Sequence, residues 1–93
     1  MSYGDTAQAA LDALRGPRND VRGDPLPIYQ RAADIFTAWT GMPFTAEDMF
    51  RALTAVKLAR EAIGKHDVDN YVDAIGYLDF LCYARDSGAS ESL

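Results

Sequence analysis

The chain has 93 residues, 48% of them hydrophobic and 25% charged, with a formal net charge of −5. That length makes one small domain with a thin core, to which self-association would add burial. The acidic balance excludes sequence-independent binding to nucleic acid and docking on an anionic membrane, both of which need a basic surface.

Cys82 is the single cysteine, so no internal disulfide forms, which suits a reducing compartment. The first residues carry no basic segment followed by an apolar run, and no apolar stretch reaches the ~18–20 residues that span a bilayer. These features lead us to expect a cytoplasmic protein.

Glycine and proline divide the chain into four predicted helices, with no strand-like alternation and no internal repeat. The first covers about 6–15, with Asp5 as N-cap, Gln8 three residues later and Gly16 as its stop. Residues 17–27 (PRNDVRGDPLP) hold three prolines and read as a surface loop. The triplet Arg22-Gly23-Asp24 within it matches an adhesion motif in letters only, since no export signal accompanies it.

The second helix, about 26–40, places Ile28, Ala32, Ile35, Phe36 and Trp39 on one face and Gln30, Asp34 and Thr37 on the other. Gly41 ends it. Phe36 and Trp39, with Tyr29 and Phe44, read as an aromatic group packed in the core around the end of this helix. Thr45 caps the third helix, where Glu47 and Asp48 suit the positive end of the helix dipole. Met49, Ala52, Leu53, Val56, Ala59 and Ile63 form an apolar stripe along it, ending at Gly64.

Asp67 is the N-cap of the fourth helix, which runs to about Arg85. Tyr71, Ala74, Ile75, Leu78, Leu81 and Cys82 mark its core face, and Asp69, Asp73, Tyr77, Phe80 and Ala84 lie roughly opposite. Gly76, costly in mid-helix, implies close approach by another helix, a subunit or a ligand. The expected division is an N-terminal helix over 1–16, an all-α helical bundle domain over 17–86 and a disordered tail over 87–93. Helices two to four form the core, helix one is loosely tethered, and a helix apolar on two sides points to a homo-oligomer.

Arg60 falls inside the apolar stripe of helix three, with Lys57 on its edge. A guanidinium turned inward needs a carboxylate or an anionic ligand. The short link Gly64-Lys65-His66-Asp67 makes helices three and four antiparallel neighbours, so Lys57 and Arg60 are expected to meet Asp69, Asp73 and Tyr77. Such a cluster either pairs two helices through salt bridges or binds a ligand: a phosphate through the cations, or a divalent metal through the aspartates. His66 and Glu61 read as an ordinary loop residue and an ordinary surface acid.

Several strings together resemble a group of small phage and prophage proteins. They are Gly23-Asp24-Pro25, then Arg31 with Ala33 and Phe36, then Thr45 to Asp48. Lys57 and Arg60 follow, and then Asp69-Asn70 through Asp73 to Gly76-Tyr77. The residues 69–81 are also distantly similar to the second motif of the MazG-like all-α nucleoside triphosphate pyrophosphatases, with Asn70 and Asp73 at the matching spacing. The first resemblance implies an accessory protein of a phage, at work in the host cytoplasm. The second implies magnesium chemistry, yet Lys57 and Arg60 stand where that family places metal-binding carboxylates. The leading expectation is therefore a non-enzymatic phage-type accessory protein. It would bind a host protein or a small anionic, nucleotide-like ligand through Lys57, Arg60, Asp69, Asp73 and Tyr77, with no cofactor. The alternatives are a magnesium-dependent pyrophosphatase using Asp69, Asp73 and Glu61, and a purely structural oligomer.

Overall fold

The computed structural model describes residues 1–16 and 24–87 and contains four helices. They are α1 (Asp5–Arg15), α2 (Leu26–Thr40), α3 (Ala46–Ile63) and α4 (Val68–Ser87), with no strand among the described residues. The expected loop over 17–23, including most of the Arg22-Gly23-Asp24 triplet, and the tail beyond Ser87 lie outside the described residues.

Local chemistry sets the helix ends. The Asp24 carboxylate accepts the Leu26 N–H at 2.9 Å, and Gly41 closes α2 at φ 75°, a left-handed conformation that favours glycine. A reciprocal capping box opens α3: the Thr45 hydroxyl accepts from the Asp48 N–H, and the Asp48 carboxylate accepts from the Thr45 N–H at 2.9 Å. Asp67 caps α4 by accepting the Asp69 N–H at 3.0 Å. In α1 the helix begins at Asp5 itself, with Gly4 as cap. The Asp5 carboxylate turns back to the Ser2 N–H, and Gln8 bonds Asp12 at 2.9 Å without closing a box.

The antiparallel pair α3–α4 is the spine of the fold; α2 packs on α3 and α1 packs on α4. Loose tethering of the first helix thus gives way to a seated one: Ala10 is buried, and Leu14 lies against Gly76. The neighbour at Gly76 is therefore α1, at a distance that would also admit a Cβ, 3.9 Å from Leu14, so the crossing does not require the glycine.

The seam between α3 and α4 is read from residues three and four apart. It runs Ala46, Phe50, Thr54, Lys57 and Glu61 on α3, against Ala84, Leu81, Tyr77, Ala74 and Asn70 on α4. Its apolar end is a cluster of Ala46, Phe50 and Ala84, covered by Leu26, Tyr29, Tyr77, Phe80 and Leu81. Phe50, fully buried, meets the rings of Tyr29 at 4.9 Å and Phe80 at 5.6 Å. Glu47 clamps this end by accepting from Arg85 of α4 at 3.1 Å and from Arg51 at 3.3 Å.

Three expected core faces are turned wholly or partly away from the buried interior. On α3 the stripe through Val56, Ala59, Arg60 and Ile63 is exposed, and the buried line lies about 130° round the helix. On α4, Ala74 and Leu81 of the expected face do reach the seam, beside Tyr77, Phe80 and Ala84 from the other side, whereas Tyr71, Leu78 and Cys82 are exposed. On α2, Leu26, Tyr29 and Ala33 face inward, and Ile28, Ile35 and Trp39 face out. Of the aromatic group expected in the core, Phe36 stacks on Phe44 at 4.6 Å, but Trp39 is 79% exposed. The common reason is volume. Each helix has apolar residues on two sides, and one thin seam admits small side chains around a single large one, Phe50.

Candidate functional site

The polar end of the α3–α4 seam holds the charged cluster. Lys57 and Glu61 are one turn apart on α3, and Asn70 and Asp73 are one turn apart on α4, so antiparallel packing sets the two pairs face to face. The Lys57 ammonium reaches the Asp73 carboxylate at 2.9 Å. One turn further on, Glu61, whose side chain is 11% exposed, accepts from the Asn70 amide at 2.9 Å and from the Asp67 N–H at 3.0 Å. His66 closes the same carboxylate through its Nδ1. Gly64 makes this tight corner possible, since a Cβ there would fall 2.7 Å from the Arg60 carbonyl oxygen.

The electrostatics follow from these bonds. The Asn70 amide, then His66 and the Asp67 N–H, hold the Glu61 carboxyl down at about 2. The same carboxylate pushes the His66 imidazole up from its ordinary value. Glu61 is therefore a firmly ionised structural acceptor at neutral pH, not a proton carrier.

Of the residues expected to form one site, the structure joins only Lys57 and Asp73. Arg60 points to solvent beside the cluster and forms no ion pair among the described residues, so it pairs with neither Asp69 nor Asp73. Asp69 is exposed in the first turn of α4. Tyr77 is half-buried against the Phe50 cluster and packs as a core ring. The members outside the expected anion cluster are Glu61 and Asn70, which entered only through the pyrophosphatase resemblance, and His66, which read as a loop residue. Their signal was present in the spacing, because Glu61 shares a helical face with Lys57, and Asn70 shares one with Asp73.

Arg60 lies on the wall of a shallow groove of about 490 Å³ with Val56, Ala59, Ile63, Gly64, Lys65, Asp67 and Asn70. Lys65, like Arg60, has no ion-pair partner among the described residues. The groove thus offers two unpaired cations beside an apolar floor. Asp67, the acid in its lining, is occupied as the cap of α4. Among the described residues no group of three or more His, Cys, Asp or Glu side chains is placed to hold a metal ion.

Fold and cluster together define a small all-α helical bundle with an antiparallel hairpin at its centre. Within that class, residues 5–82 match the family model described as Domain of unknown function (DUF6378), and the chain belongs to that family. No curated protein and no solved structure matches it. No helix among the described residues is long and apolar enough to cross a membrane.

Proposed function

We propose that this protein is a non-enzymatic accessory protein of the phage type that binds an anionic group at the corner of the α3–α4 hairpin. Arg60 and Lys65 supply the charge there, and Val56, Ala59 and Ile63 supply apolar contact. The observation that carries this reading is the pair of cations, without an ion-pair partner among the described residues, in one groove of an acidic chain. Lys57 is held by Asp73 and reinforces the positive side of the corner without being free to bind. The ligand class is a nucleotide-like anion or the acidic segment of a host protein, and the working compartment is the cytoplasm.

A magnesium-dependent pyrophosphatase is the competing reading, favoured by the way α3 and α4 bring Glu61 and Asp73 to one seam. Both carboxylates there are already engaged, Asp73 by an ammonium and Glu61 by three donors. A hard divalent ion would have to displace all of these.

Thermal-shift and calorimetric titrations with nucleoside triphosphates, with and without magnesium, test the two. Stabilisation without metal that falls at least tenfold in affinity in Arg60→Ala and Lys65→Ala is the expected outcome. Magnesium-dependent stabilisation with pyrophosphate release overturns it. Silence towards every nucleotide and towards polyglutamate leaves the structural-oligomer reading in its place.

A further inference from the structure

We propose that the outward face of α2 is the contact surface for a second copy of this chain, with the two α2 helices pairing antiparallel. The inference does not rest on the anion groove and concerns a different face of the molecule.

The outward residues Ile28, Ala32, Ile35 and Trp39 are spaced 4, 3 and 4 apart, which is the seam spacing of two packed helices. They lie about 120° round the helix from the side by which Leu26, Tyr29 and Ala33 seat α2 in its own fold. Ile28 is 61% exposed, Ile35 44% and Trp39 79%, with Ala32 half-buried between them, so the large side chains of this line have no cover among the described residues.

A twofold axis level with residues 33–34 would set Trp39 over Ile28 of the second copy, and Ala32 over Ile35. The largest side chain then meets a medium one, and the smallest leaves room for a branched one. The self-complementarity that a twofold contact demands is thus built into one helix.

Charge selects the same face. The exposed apolar stripe of α3 is interrupted by Arg60, so two copies meeting there would oppose like cations. On α4 four aspartates stand against one arginine, and self-pairing would oppose carboxylates. The only charged side chains of α2 are Arg31 and Asp34, of opposite sign. In a chain of net charge −5 it is the helix that self-pairs with least repulsion.

The area is sufficient. Counting roughly 200 Å² for each large side chain, the exposed parts of Ile28, Ile35, Phe36, Trp39 and Met42 amount to roughly 500–600 Å² per copy. With all of it covered, the symmetric pair would bury about 1,100 Å², above the ~1,000 Å² that a biological interface should clear and in the range of weak, reversible dimers.

Trp39 is the only tryptophan, so the full-length chain carries its own reporter. Sedimentation of the wild-type protein should give a dimer at micromolar concentration, with blue-shifted tryptophan emission that shifts red on dilution. Ile35→Glu should sediment as a monomer with an unchanged helical circular dichroism spectrum and red emission at every concentration. Should Ile35→Glu fail to fold, Ile28→Glu, at a more exposed position, serves in its place. A wild-type monomer at all concentrations overturns the proposal and leaves the face to an unrelated protein. A dimer that survives the folded glutamate variant, or whose Trp39 emits as a solvated indole throughout, equally overturns it.

Discussion

Arg60 stands in an apolar stripe, and a stripe of that kind ordinarily marks the buried side of a helix. The side chain is nevertheless in water, because α4 lies against the neighbouring face, whose members are Ala46, Phe50, Thr54, Lys57 and Glu61. An exposed arginine costs nothing to solvate and needs no acid. Arg60→Leu is accordingly expected to change unfolding free energy by no more than about 0.5 kcal/mol in urea titrations, whether or not Asp73 is altered. Phe50 is the opposite case. It is the one large side chain buried completely, and Phe50→Ala should cost about 3–5 kcal/mol, enough to unfold most of a small domain near body temperature. Glu61 and His66 make a residue-scale prediction in pH. The Glu61 carboxyl is lowered from 4.5 to about 2, so its contribution is complete above pH 4.5 and is lost as pH falls towards 2. His66 is raised from 6.5, so its contribution is complete below that pH and is lost as pH rises through the folded value. Thermal melts should therefore peak between pH 4.5 and 6.5. His66→Ala should remove the alkaline decline while leaving most of the acid one, since Asn70 is the larger cause at Glu61.

At the scale of elements, the ends of α2, α3 and α4 follow the residues that signal them: Gly41, Thr45, Gly64 and Asp67 all stand where the chain turns. Capping is a contact between residues two or three apart, and such contacts are legible without knowing the fold. Which side of each helix is buried was not legible in the same way. All three of these helices carry apolar residues on two sides, and the choice depends on what the opposing helix can accommodate. The α3–α4 seam takes alanines and Asn70 where the helices approach closely, and the bulkier Val56, Ile63, Tyr71 and Leu78 are left outside. Gly76 offers a test at this scale. A Cβ there would sit 3.9 Å from the Leu14 side chain, which is ordinary contact. Gly76→Ala should therefore keep the α1–α4 crossing and raise stability by up to about 1 kcal/mol, measured by chemical denaturation, through lower backbone entropy in the unfolded chain.

Across the whole molecule, the described core is small for the apolar content of the chain. Five of its six buried apolar residues are alanines, whereas Ile28, Trp39 and Ile63 are 61%, 79% and 90% exposed. The proposed pairing of α2 helices would add the missing burial, and on that proposal the melting temperature is expected to rise with protein concentration over the micromolar range. The charged site shows the same division between local and global information. Lys57 and Asp73 were identifiable as partners because a short link forces α3 and α4 antiparallel, and their spacing then puts them level. Glu61 and Asn70 occupy equivalent positions one turn further on, but neither residue type announces a site alone. The sequence by itself determined the four helices of the described residues, nearly all their ends and the neighbourhood of α3 and α4, because each depends on interactions within a few residues or across a short turn. Only the tertiary structure decided which faces meet, that Arg60 is solvated and that Glu61 is the bonded acid, because these depend on how much volume two helices leave between them.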